Sequence, residues 1–588
     1  MIDFVLRYTK ESPYERESIL KLNGIEFESI FSSSSSSLYL ADTTRHLKLN
    51  YKTRTLIAIG DMIAQEEKEN IFNQNAEEII QCHPGFYYLL EFQKESLRVF
   101  NSLFGILPVY HSEKEGQVLV SSRAGLIRDY LGQRVRLNKQ WVLERILFNH
   151  GLDTDTPCRE IRLLPAHHNL IIKDGKVTVQ KYLAIENYFT GHPRPWRQSL
   201  GPLTDLFTER CRGYFSTQAN LISFTGGFDG RTLLACALGQ QLPVQTYSFG
   251  SHINPDVTIP RQISEKLNIP YHAFYLDETD YQDQFLPLGQ DLILVCDGQS
   301  SWLHVHYLYS ARRLQKKGAL ITGMFGSELL RALHVSGQVT ARPLVDFFIH
   351  QGNPKVYRQK ILASPRLTYL RLKYFHKELD MLWDKLEEQQ RELKGLGLSE
   401  NQRFYKFILE ETFRKVFGSF IVPQLAYAPV RAPYLDWTFT RQLLQTELAG
   451  INNTFYTHNP LRRAKGQMFY ARIIQQNHPP LLHYKNDKGY RPADLLGHLG
   501  ILSITAGWLK KRLHRHLLPQ DYDNLGILSG VKKNRRFFES LKIPDWMNAQ
   551  KIWKMLHSTA WQGNILERDN LLRSLSLAWF ITQEQNER

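Results

Sequence analysis

The sequence has 588 residues, of which 43% are hydrophobic and 12% aromatic, so it is too long for one hydrophobic core and apolar enough for two or three. Its five cysteines show no paired spacing, which argues against a disulfide framework or a zinc site and favours a reducing compartment. The chain has no leader-like start and no apolar run of membrane-spanning length, so we expect a cytoplasmic protein without a membrane span.

The first third of the chain, residues 1–190, is predicted to form one domain. Its serine run at residues 32–37 has low complexity and predicts a mobile loop. The segment Gly191–Trp196 interrupts both helical and strand periodicity with glycine and proline. We therefore expect a domain boundary near residues 187–199.

A glycine-rich turn between a predicted strand and a predicted helix is the most informative segment. Apolar residues up to Phe224 precede Thr225-Gly226-Gly227-Phe228-Asp229-Gly230, and an apolar helix start follows. Glycines let the backbone approach an anion, and the amides at a helix N-terminus add a positively polarised cradle. Asp229 would repel phosphate unless a divalent cation lies between them, so we interpret it as a Mg²⁺ ligand. The alternative is a tight turn in which glycine serves backbone shape alone.

The segments after this turn alternate between strand and helix patterns. In chain order they are a strand at 244–249, a helix at 258–267, a strand at 271–276, a helix at 302–316 and a strand at 319–322. This alternation predicts an α/β fold with a parallel sheet. Ligands of such sheets bind beyond the carboxyl ends of the strands, where the Asp229 turn, Ser248 to Gly250 and Gly323 to Glu328 should converge.

Several ordered blocks resemble those of the asparagine synthetase superfamily. Residues 225–230 resemble its S-G-G-x-D-S pyrophosphate loop, and residues 323–328 are similar to its G-x-G-x-D-E loop. Three further matches are Asp256 for the acid that opens the next helix, Arg431–Asp436 for R-x-P-F-L-D, and Leu461–Ala464 with Lys485–Pro492 for the late L-R-x-A and basic-G-F blocks. The resemblance implies a doubly wound parallel-sheet domain of the PP-loop ATP pyrophosphatase (adenine nucleotide α-hydrolase-like) class over residues 200–500.

Two segments extend this domain. Residues 343–398 turn helical and highly charged and are interpreted as a helical insertion over the site. Residues 501–588 are interpreted as a basic helical carboxyl-terminal extension.

The site departs from the family pattern at several positions. Thr225 keeps a hydroxyl in place of serine, whereas Gly230 loses one. Ser327 stands where the family has its second metal-binding aspartate, so we expect weaker metal affinity. The family lysine two residues before the late glycine is Asp487 here, which leaves Lys485 and Lys488 as rival candidates.

The first domain resembles a class II glutamine amidotransferase that lacks its nucleophile. Blocks at residues 85–88, 104–110 and 120–124 are similar to the family's G-x-F, R-D-x-x-G-x-x-P-L-Y and F-S-S-E-x-x-A segments. The nucleophilic cysteine position holds Ile2, and Asn101, Ser102 and Arg123 replace the usual arginine, aspartate and glutamate. The resemblance implies an Ntn-hydrolase-like αββα sandwich without glutaminase activity.

The resemblance implies an AMP- and pyrophosphate-forming carbon–nitrogen ligase that uses ATP and Mg²⁺. The expected nucleotide-binding residues are Thr225, Gly226, Gly227, Asp229, Gly230, Ser248, Gly250 and Gly323, with Asp229 as the metal ligand. Glu328 is expected to orient or deprotonate an amine, and Lys485 or Lys488 to stabilise charge. Arg431 is expected to support the site by ion pairing, with a structural salt bridge to Asp436 as the alternative.

The acid would be a small molecule or a peptide, and the amine would not come from an internal glutaminase. Relatives with a dead first domain resemble β-lactam and carbapenam synthetases and lasso peptide cyclases, so intramolecular amide closure is one hypothesis. A catalytically inactive interaction protein is the main alternative.

The net charge of +15 raises a rival of another class. Basic clusters at residues 510–516 and 532–536 could bind an acidic or peptide partner, or nucleic acid. We favour a solvated helix face, because no RNA-recognition or zinc-finger signature occurs. A tRNA-modifying PP-loop enzyme is the nucleic-acid alternative.

Overall fold

The computed structural model describes residues 2–9, 18–41, 45–50, 53–64, 68–71, 73–132, 135–331, 333, 339–456, 460–497, 500, 505, 509 and 525–586. These residues form a mixed α/β structure with three sheets. The basic cluster predicted at residues 510–516 lies outside this described part of the chain. No helix among the described residues is long and apolar enough to cross a membrane.

Two antiparallel sheets are built from the first thirteen strands. These strands are β1 (Phe4–Thr9), β2 (Ile19–Leu22), β3 (Ile25–Ser32), β4 (Ser36–Ala41), β5 (His46–Asn50), β6 (Arg54–Met62), β7 (Gly85–Gln93), β8 (Leu97–Phe100), β9 (Tyr110–Lys114), β10 (Gln117–Ser121), β11 (Arg162–Leu163), β12 (His168–Lys173) and β13 (Lys176–Lys181). The first sheet has the order β11-β9-β10-β1-β4-β3-β2, and the second has the order β13-β12-β8-β7-β6-β5. The serine run predicted as a mobile loop is instead the tight connection between β3 and β4 and their adjoining ends.

A parallel sheet is built from the next five strands. They are β14 (Asn220–Ser223), β15 (Val244–Gly250), β16 (Tyr271–Tyr275), β17 (Ala319–Ile321) and β18 (Val430–Arg431). Their order is β16-β15-β14-β17-β18, and every neighbouring pair is parallel. The strands predicted at 244–249, 271–276 and 319–322 are therefore present and parallel.

The helices connect and cover these sheets. They are α1 (Lys68–Ile71), α2 (Ala76–Cys82), α3 (Ala124–Leu131), α4 (Lys139–Phe148), α5 (Trp196–Arg212), α6 (Asp229–Gly239), α7 (Pro255–Lys266), α8 (Thr279–Val295), α9 (Val305–Arg313), α10 (Gly326–Leu330), α11 (Arg342–His350), α12 (Pro354–Leu362), α13 (His376–Gly395), α14 (Glu400–Phe407), α15 (Gly418–Ile421), α16 (Trp437–Leu443), α17 (Pro460–Asn477) and α18 (Pro492–Leu496), followed by Leu525–Lys533, Arg535–Ser540, Ala549–His557, Ala560–Gly563 and Ile565–Asn586. Short 3₁₀ helices occur at Ile185–Tyr188, Trp302–His304, Pro365–Tyr369, Leu372–Tyr374, Gln424–Ala426, Pro433–Leu435, Gly450–Asn452 and Pro479–His483, and Ile408–Phe417 is a π-helix.

The two antiparallel sheets pack face to face. Side chains alternate along β1, so that Phe4 faces the second sheet and its ring centroid lies 4.9 Å from that of Tyr88. Val5 points the opposite way and packs against Leu126 of α3. On the far side of the second sheet, Tyr87 donates to the carbonyls of Ile79 and His83 at α2. The layer order is therefore helix, sheet, sheet, helix, as the sequence predicted.

The predicted insertion at residues 343–398 is helical but packs against the sandwich. Lys385 of α13 lies 2.9 Å from Oε1 of Glu144 and 2.5 Å from Oδ2 of Asp155. Burial raises the pKa of Glu144 to about 7, although the charge of Lys385 opposes the shift. Helix α13 of the insertion is thus fixed to α4 by ion pairs, and the position of the insertion over the predicted site stays a prediction.

The π-helix connects the sandwich to the rest of the chain. Lys415 Nζ donates to the carbonyls of Gly151 and Asp153 at 2.7 and 2.8 Å. Burial and the nearby Arg414 lower the pKa of Lys415 to about 8. A π-helix widens the turn and is often found where side chains must be re-aimed. Here the π-helix directs the side chains of Lys415 and Arg414 toward carbonyl groups of the sandwich. Arg414 donates to the Leu164 carbonyl at 3.2 Å.

The last helices complete the core around the parallel sheet. The ring of Trp302 lies 5.0 Å from that of Phe538 and 5.8 Å from that of Trp579, and its backbone amide donates to Ser576 at 3.2 Å. A methyl group added at Gly530 would lie 2.5 Å from the ring of Phe285. The described residues after 525 therefore belong to the same packed core as the helices that cover the sheet.

Candidate functional site

Two loops meet at the point where the order of strands along the parallel sheet reverses. The first connects β14 to α6 and the second connects β17 to α10, and β14 and β17 are neighbours. A methyl group at Gly323 would lie 3.0 Å from both the Asp229 Cβ and the Gly230 amide nitrogen. A side chain at position 323 would push the two loops apart, so glycine favours the predicted convergence of the Asp229 and Glu328 loops.

Asp229 lies at the centre of this convergence. Ser327 Oγ donates to Asp229 Oδ2 at 2.8 Å, and the Tyr470 hydroxyl donates to Oδ1. The Tyr434 hydroxyl donates to the Asp229 carbonyl at 3.1 Å. The position of the family's second aspartate is therefore occupied by a hydroxyl donor that holds the first. Sequence reasoning missed Tyr470, because α17 gives no local sign of its distant partner.

The amides of the glycine turn already have acceptors within the protein. The Gly226 amide donates to Asp256 Oδ1 at 2.9 Å, and the Gly227 amide donates to Thr225 Oγ1 at 3.4 Å. The Asp487 amide donates to the Gly226 carbonyl at 3.3 Å. Two carboxylates thus flank Gly226, whereas a methyl group at Gly227 would meet nothing closer than Thr225 Oγ1 at 3.6 Å. The accessible side of the turn is the Gly227 side.

Gly230 has a packing role that explains the loss of the family serine. A Cβ at this position would lie 2.3 Å from the Ser223 carbonyl oxygen and 3.2 Å from the Phe224 Cα. Helix α6 therefore packs too closely on the end of β14 for any side chain.

Ser248 and Gly250, which are predicted to bind nucleotide, contact the neighbouring strand β16 and the start of α7. Ser248 is buried, and its hydroxyl lies 2.5 Å from that of Tyr271, which also donates to the Val257 carbonyl. A Cβ at Gly250 would lie 2.9 Å from Asn254 Nδ2. Both residues therefore hold the start of α7, which carries Asp256.

Glu328 is a half-buried carboxyl group beside Asp229. Burial, followed by the negative charge of Asp229, raises the pKa of Glu328 to about 7. Arg331 follows one turn later. Burial alone would lower its pKa, but the charges of Asp229 and Glu328 and the nearby tyrosines raise it. Its Nε has no hydrogen-bond partner among the described residues. Sequence reasoning missed this arginine, which has no counterpart in the predicted motif.

The late basic segment is held against the glycine turn by Arg231. This fully buried arginine donates to the carbonyls of Tyr484 and Lys485 at 2.5 and 3.1 Å. Asn486 Oδ1 then accepts from the amides of Lys488 and Tyr490 at 2.9 and 3.2 Å. Lys485 is exposed and Lys488 half-buried. A charged residue on the buried side of an apolar helix was the signal that could have identified Arg231.

Arg431 contacts the sandwich. Its Nε and Nη2 lie 2.8 and 3.2 Å from the two carboxylate oxygens of Asp61, and Nη1 donates to the Tyr214 carbonyl at 3.0 Å. The alternative salt bridge to Asp436 is wrong, because Asp436 pairs with Arg210 at 3.1 Å and caps α16 through the Phe439 amide. Arg431 is therefore a bridge between the sandwich and the edge of the parallel sheet.

The segment around Ile2 is fixed by packing and an ion pair. The Ile2 side chain approaches Gly60, whose added Cβ would lie 3.1 Å from Ile2 Cδ1. Arg123 lies 3.1 Å from Asp3 Oδ2, and Ser122 donates to the other Asp3 oxygen at 3.1 Å. The acid expected at position 123 is thus a cation paired to the residue that follows Ile2.

The exposed basic cluster at residues 532–536 is partly neutralised within the chain. Lys533 forms an ion pair with Asp283, and Arg535 lies 2.7 Å from Glu539. An acidic partner at this surface stays a prediction.

The donor set around Asp229 fits a Mg²⁺ ion that arrives with phosphates. No group of three or more His, Cys, Asp or Glu side chains able to hold a metal occurs among the described residues. Asp229 and Glu328 nevertheless supply hard carboxylate oxygens, and their mutual repulsion would be relieved by a cation. Mg²⁺ commonly uses one or two carboxylates, waters and substrate phosphates. The residues therefore suit a Mg²⁺ ion that is shared with substrate phosphates better than an ion that the protein holds alone.

No protein-family model matches the sequence, and no curated protein matches it. Among solved structures, the chain is similar to glutamine phosphoribosylpyrophosphate amidotransferase from B. subtilis complexed with ADP and GMP, at 8% identity and a TM-score of 0.20, over 46% of this chain and 59% of that chain. It is similar, with the same identity and TM-score, to the allosteric regulatory enzyme of purine biosynthesis, over 46% of this chain and 74% of that chain. The match spans less than two thirds of the first structure, and at these values neither similarity indicates a function.

Proposed function

We propose that this protein is an ATP-dependent ligase that adenylates a carboxylate and joins it to an amine. The observation that carries the proposal is the 2.8 Å contact between Ser327 and Asp229, which joins the two loops at the switch point of the sheet. The resemblance of these loops to the asparagine synthetase superfamily supplies the reaction class. The contacts between the two loops support the choice of residues.

The triphosphate would lie on the Gly227 side of the turn. Helix α6 begins at Asp229, and its capping residue, Phe228, supplies no side-chain acceptor to the first-turn amides. Asp229, Asp256 and Asp487 surround the turn with negative charge, so nucleotide binding requires Mg²⁺. Mg²⁺ bound with ATP would offset phosphate charge and would polarise the α-phosphorus. Asp229 is the residue that would hold it.

The substrate carboxylate attacks the α-phosphorus, forming a carboxyl-oxygen to phosphorus bond as pyrophosphate leaves. An amine nitrogen then attacks the acyl carbon and AMP departs with the bonding electrons. Glu328, with its pKa raised by burial to about 7, is placed to accept the proton that the amine loses. Lys485 or Lys488, held beside the turn by Arg231, would stabilise charge on the leaving phosphate.

The nitrogen would be ammonia or an amine on the substrate, because Asn101, Ser102 and Arg123 replace the arginine, aspartate and glutamate of the glutaminase blocks that this segment resembles. Closure of an amide within one molecule, including a peptide macrolactam, would fit such a nitrogen source. Adding glutamine should therefore yield no glutamate.

A catalytically inactive interaction protein is the second candidate. The observation that favours it is the engagement of the site by its own side chains. Both carboxylate oxygens of Asp229 accept hydroxyl protons, and the Gly226 amide is bound to Asp256. To bind a metal and a nucleotide, the protein would have to break these hydrogen bonds or use the remaining lone pairs of the Asp229 carboxylate.

Pyrophosphate exchange separates the two candidates. The protein is incubated with ATP, Mg²⁺, labelled pyrophosphate and a set of carboxylates and precursor peptides, and ATP binding is measured by calorimetry. A ligase gives Mg²⁺-dependent ATP binding that is lost in Asp229→Ala and kept in Asp205→Ala, a change on the exposed face of α5. Absence of ATP binding in the wild-type protein would establish the inactive alternative.

A further inference from the structure

Three buried arginines lie on α4 and on two elements that pack against it. They are Arg145 on α4, Arg366 in the 3₁₀ helix Pro365–Tyr369, and Arg573 on the final helix, with exposed fractions of 1%, 9% and 4%. We call them the arginine cluster. Arginine is almost never this deeply buried unless a counter-charge accompanies it.

The cluster has too little negative charge. Asp569 is the carboxylate whose charge acts on Arg366 and Arg573, and it is itself buried beside a further buried arginine, Arg568. Burial lowers the pKa of Arg145, and the charges of Arg573 and Arg366 lower it further. No carboxylate opposes that shift. Asp569 therefore faces Arg366, Arg573 and Arg568, and its charge does not reach Arg145.

Several donors in the cluster are unused. Arg145 donates to the carbonyls of Gly298 and Ser300 at 3.4 and 3.2 Å, but its Nη1 has no partner among the described residues. The Nε of Arg573 likewise has none, nor has Nε2 of His304, a buried residue on which both arginine charges act. Arg366, by contrast, donates to Ile146 and Asn149 at the end of α4.

We propose that the arginine cluster binds one small tetrahedral oxyanion of the phosphate class. An unpaired buried charge destabilises the folded state, so the fold gains by enclosing a counter-ion. Guanidinium groups present forked donors that match tetrahedral oxyanions. The enclosed position excludes a macromolecule, and the three unused nitrogens on Arg145, Arg573 and His304 supply its first contacts.

The anion would join three segments that are distant in sequence. Helix α4 belongs to the sandwich, His304 lies beside the parallel-sheet core, and Arg573 lies on the final helix. A ligand that binds only the folded state raises its stability with concentration. The site is therefore structural and independent of the proposed ligase.

The test measures thermal unfolding of the full chain in rising inorganic phosphate, with ionic strength held constant by chloride. The wild-type midpoint should rise and saturate. Arg573→Met keeps the aliphatic stem but removes the charge, so its midpoint in phosphate-free buffer should be equal or higher and its phosphate response lost. Arg535→Met, an exposed change, and Asp229→Ala, in the nucleotide turn, should both keep the wild-type response.

Equilibrium dialysis with labelled phosphate gives a second readout. We expect one saturable site per chain in Asp229→Ala, weakened about tenfold to a hundredfold by Arg573→Met. If Arg573→Met does not fold, Arg145→Met, which alters the same donor set, takes its place. An equal phosphate response in wild type and arginine variants, or no saturable binding to the Asp229→Ala protein, overturns the proposal.

Discussion

Ser327 and Asp229 join the two loops of the candidate site through a 2.8 Å hydrogen bond. Ser327→Asp would bring a second carboxylate to this position, where like charges repel unless a cation intervenes. We expect the variant to be less stable than wild type in EDTA by about 1–3 kcal/mol and to recover that loss in Mg²⁺. Urea unfolding in both buffers measures the difference.

Ser327→Ala is the matched control, because it removes the hydrogen bond without adding charge. Its unfolding free energy should fall in both buffers and show no larger Mg²⁺ response than wild type. A Ser327→Asp protein that is insensitive to Mg²⁺ would argue against a metal at Asp229.

Gly230→Ser tests the close packing of α6 on β14. The new Cβ would lie 2.3 Å from the Ser223 carbonyl oxygen, so the helix must shift and stability should fall by about 1–3 kcal/mol. Gly227→Ala is the control, since its methyl group meets only Thr225 Oγ1 at 3.6 Å. Calorimetric melting compares the two. An unchanged melting temperature in Gly230→Ser would mean that the family serine is compatible with this turn.

The bidentate pair of Arg431 with Asp61 predicts coupling between the sandwich and the parallel sheet. A double-mutant cycle with Arg431→Met and Asp61→Asn should give a coupling energy of about 1–3 kcal/mol in urea unfolding, because both side chains are largely buried. The affinity for ATP should stay close to wild type in Asp61→Asn. A coupling energy near zero, with ATP binding lost in Arg431→Met, would show that Arg431 acts in nucleotide binding instead.

The raised pKa of Glu328 predicts two opposite effects of rising pH, one on amide formation and one on stability. As a base it must lose its proton, so amide formation should rise with pH around a midpoint near 7, whereas Glu328→Gln should lose amide formation and keep pyrophosphate exchange. Because burial raises its folded pKa from 4.5 to about 7, the folded carboxyl keeps a proton that the unfolded chain has lost.

The contribution of Glu328 to stability is therefore full below about pH 4.5 and is lost as pH rises to about 7. Unfolding free energies measured across this range should fall less steeply in Glu328→Gln than in wild type. Parallel curves for the two proteins would contradict the raised pKa.

Arg231 should control the order of the late basic segment. Arg231→Lys loses the guanidinium group that donates to the Tyr484 and Lys485 carbonyls. We expect the free energy of unfolding to fall by about 3 kcal/mol. Hydrogen exchange at residues 484–490 should accelerate, and pyrophosphate exchange should fall with it. Arg472→Lys on the exposed face of α17 is the control. Unchanged protection of residues 484–490 would show that other contacts hold the segment.

The convergence of the two loops could be predicted because it follows from local patterns and one topological rule. Apolar runs such as Ala319–Ile321 identify buried parallel strands, and parallel strands end at a common edge. The position of Asp229 beside the Ser327 loop was therefore derivable without knowing either partner.

The partner of Arg431 could not be predicted in the same way. Asp436 is close in sequence and Asp61 is not, and neither periodicity nor spacing carries information on such long-range ion pairs. Ser248 illustrates a second limit. Its position at a strand end was correct, but only the neighbouring Tyr271 determines that its hydroxyl is used within the sheet.

The packing of Trp302 against Phe538 and Trp579 has a consequence for synthesis of the chain. The ribosome finishes the parallel strands long before it makes the aromatic rings that cover this indole. Until those rings are made, the Trp302 indole stays uncovered, and a chaperone that shields apolar surfaces would bind the nascent chain during that interval.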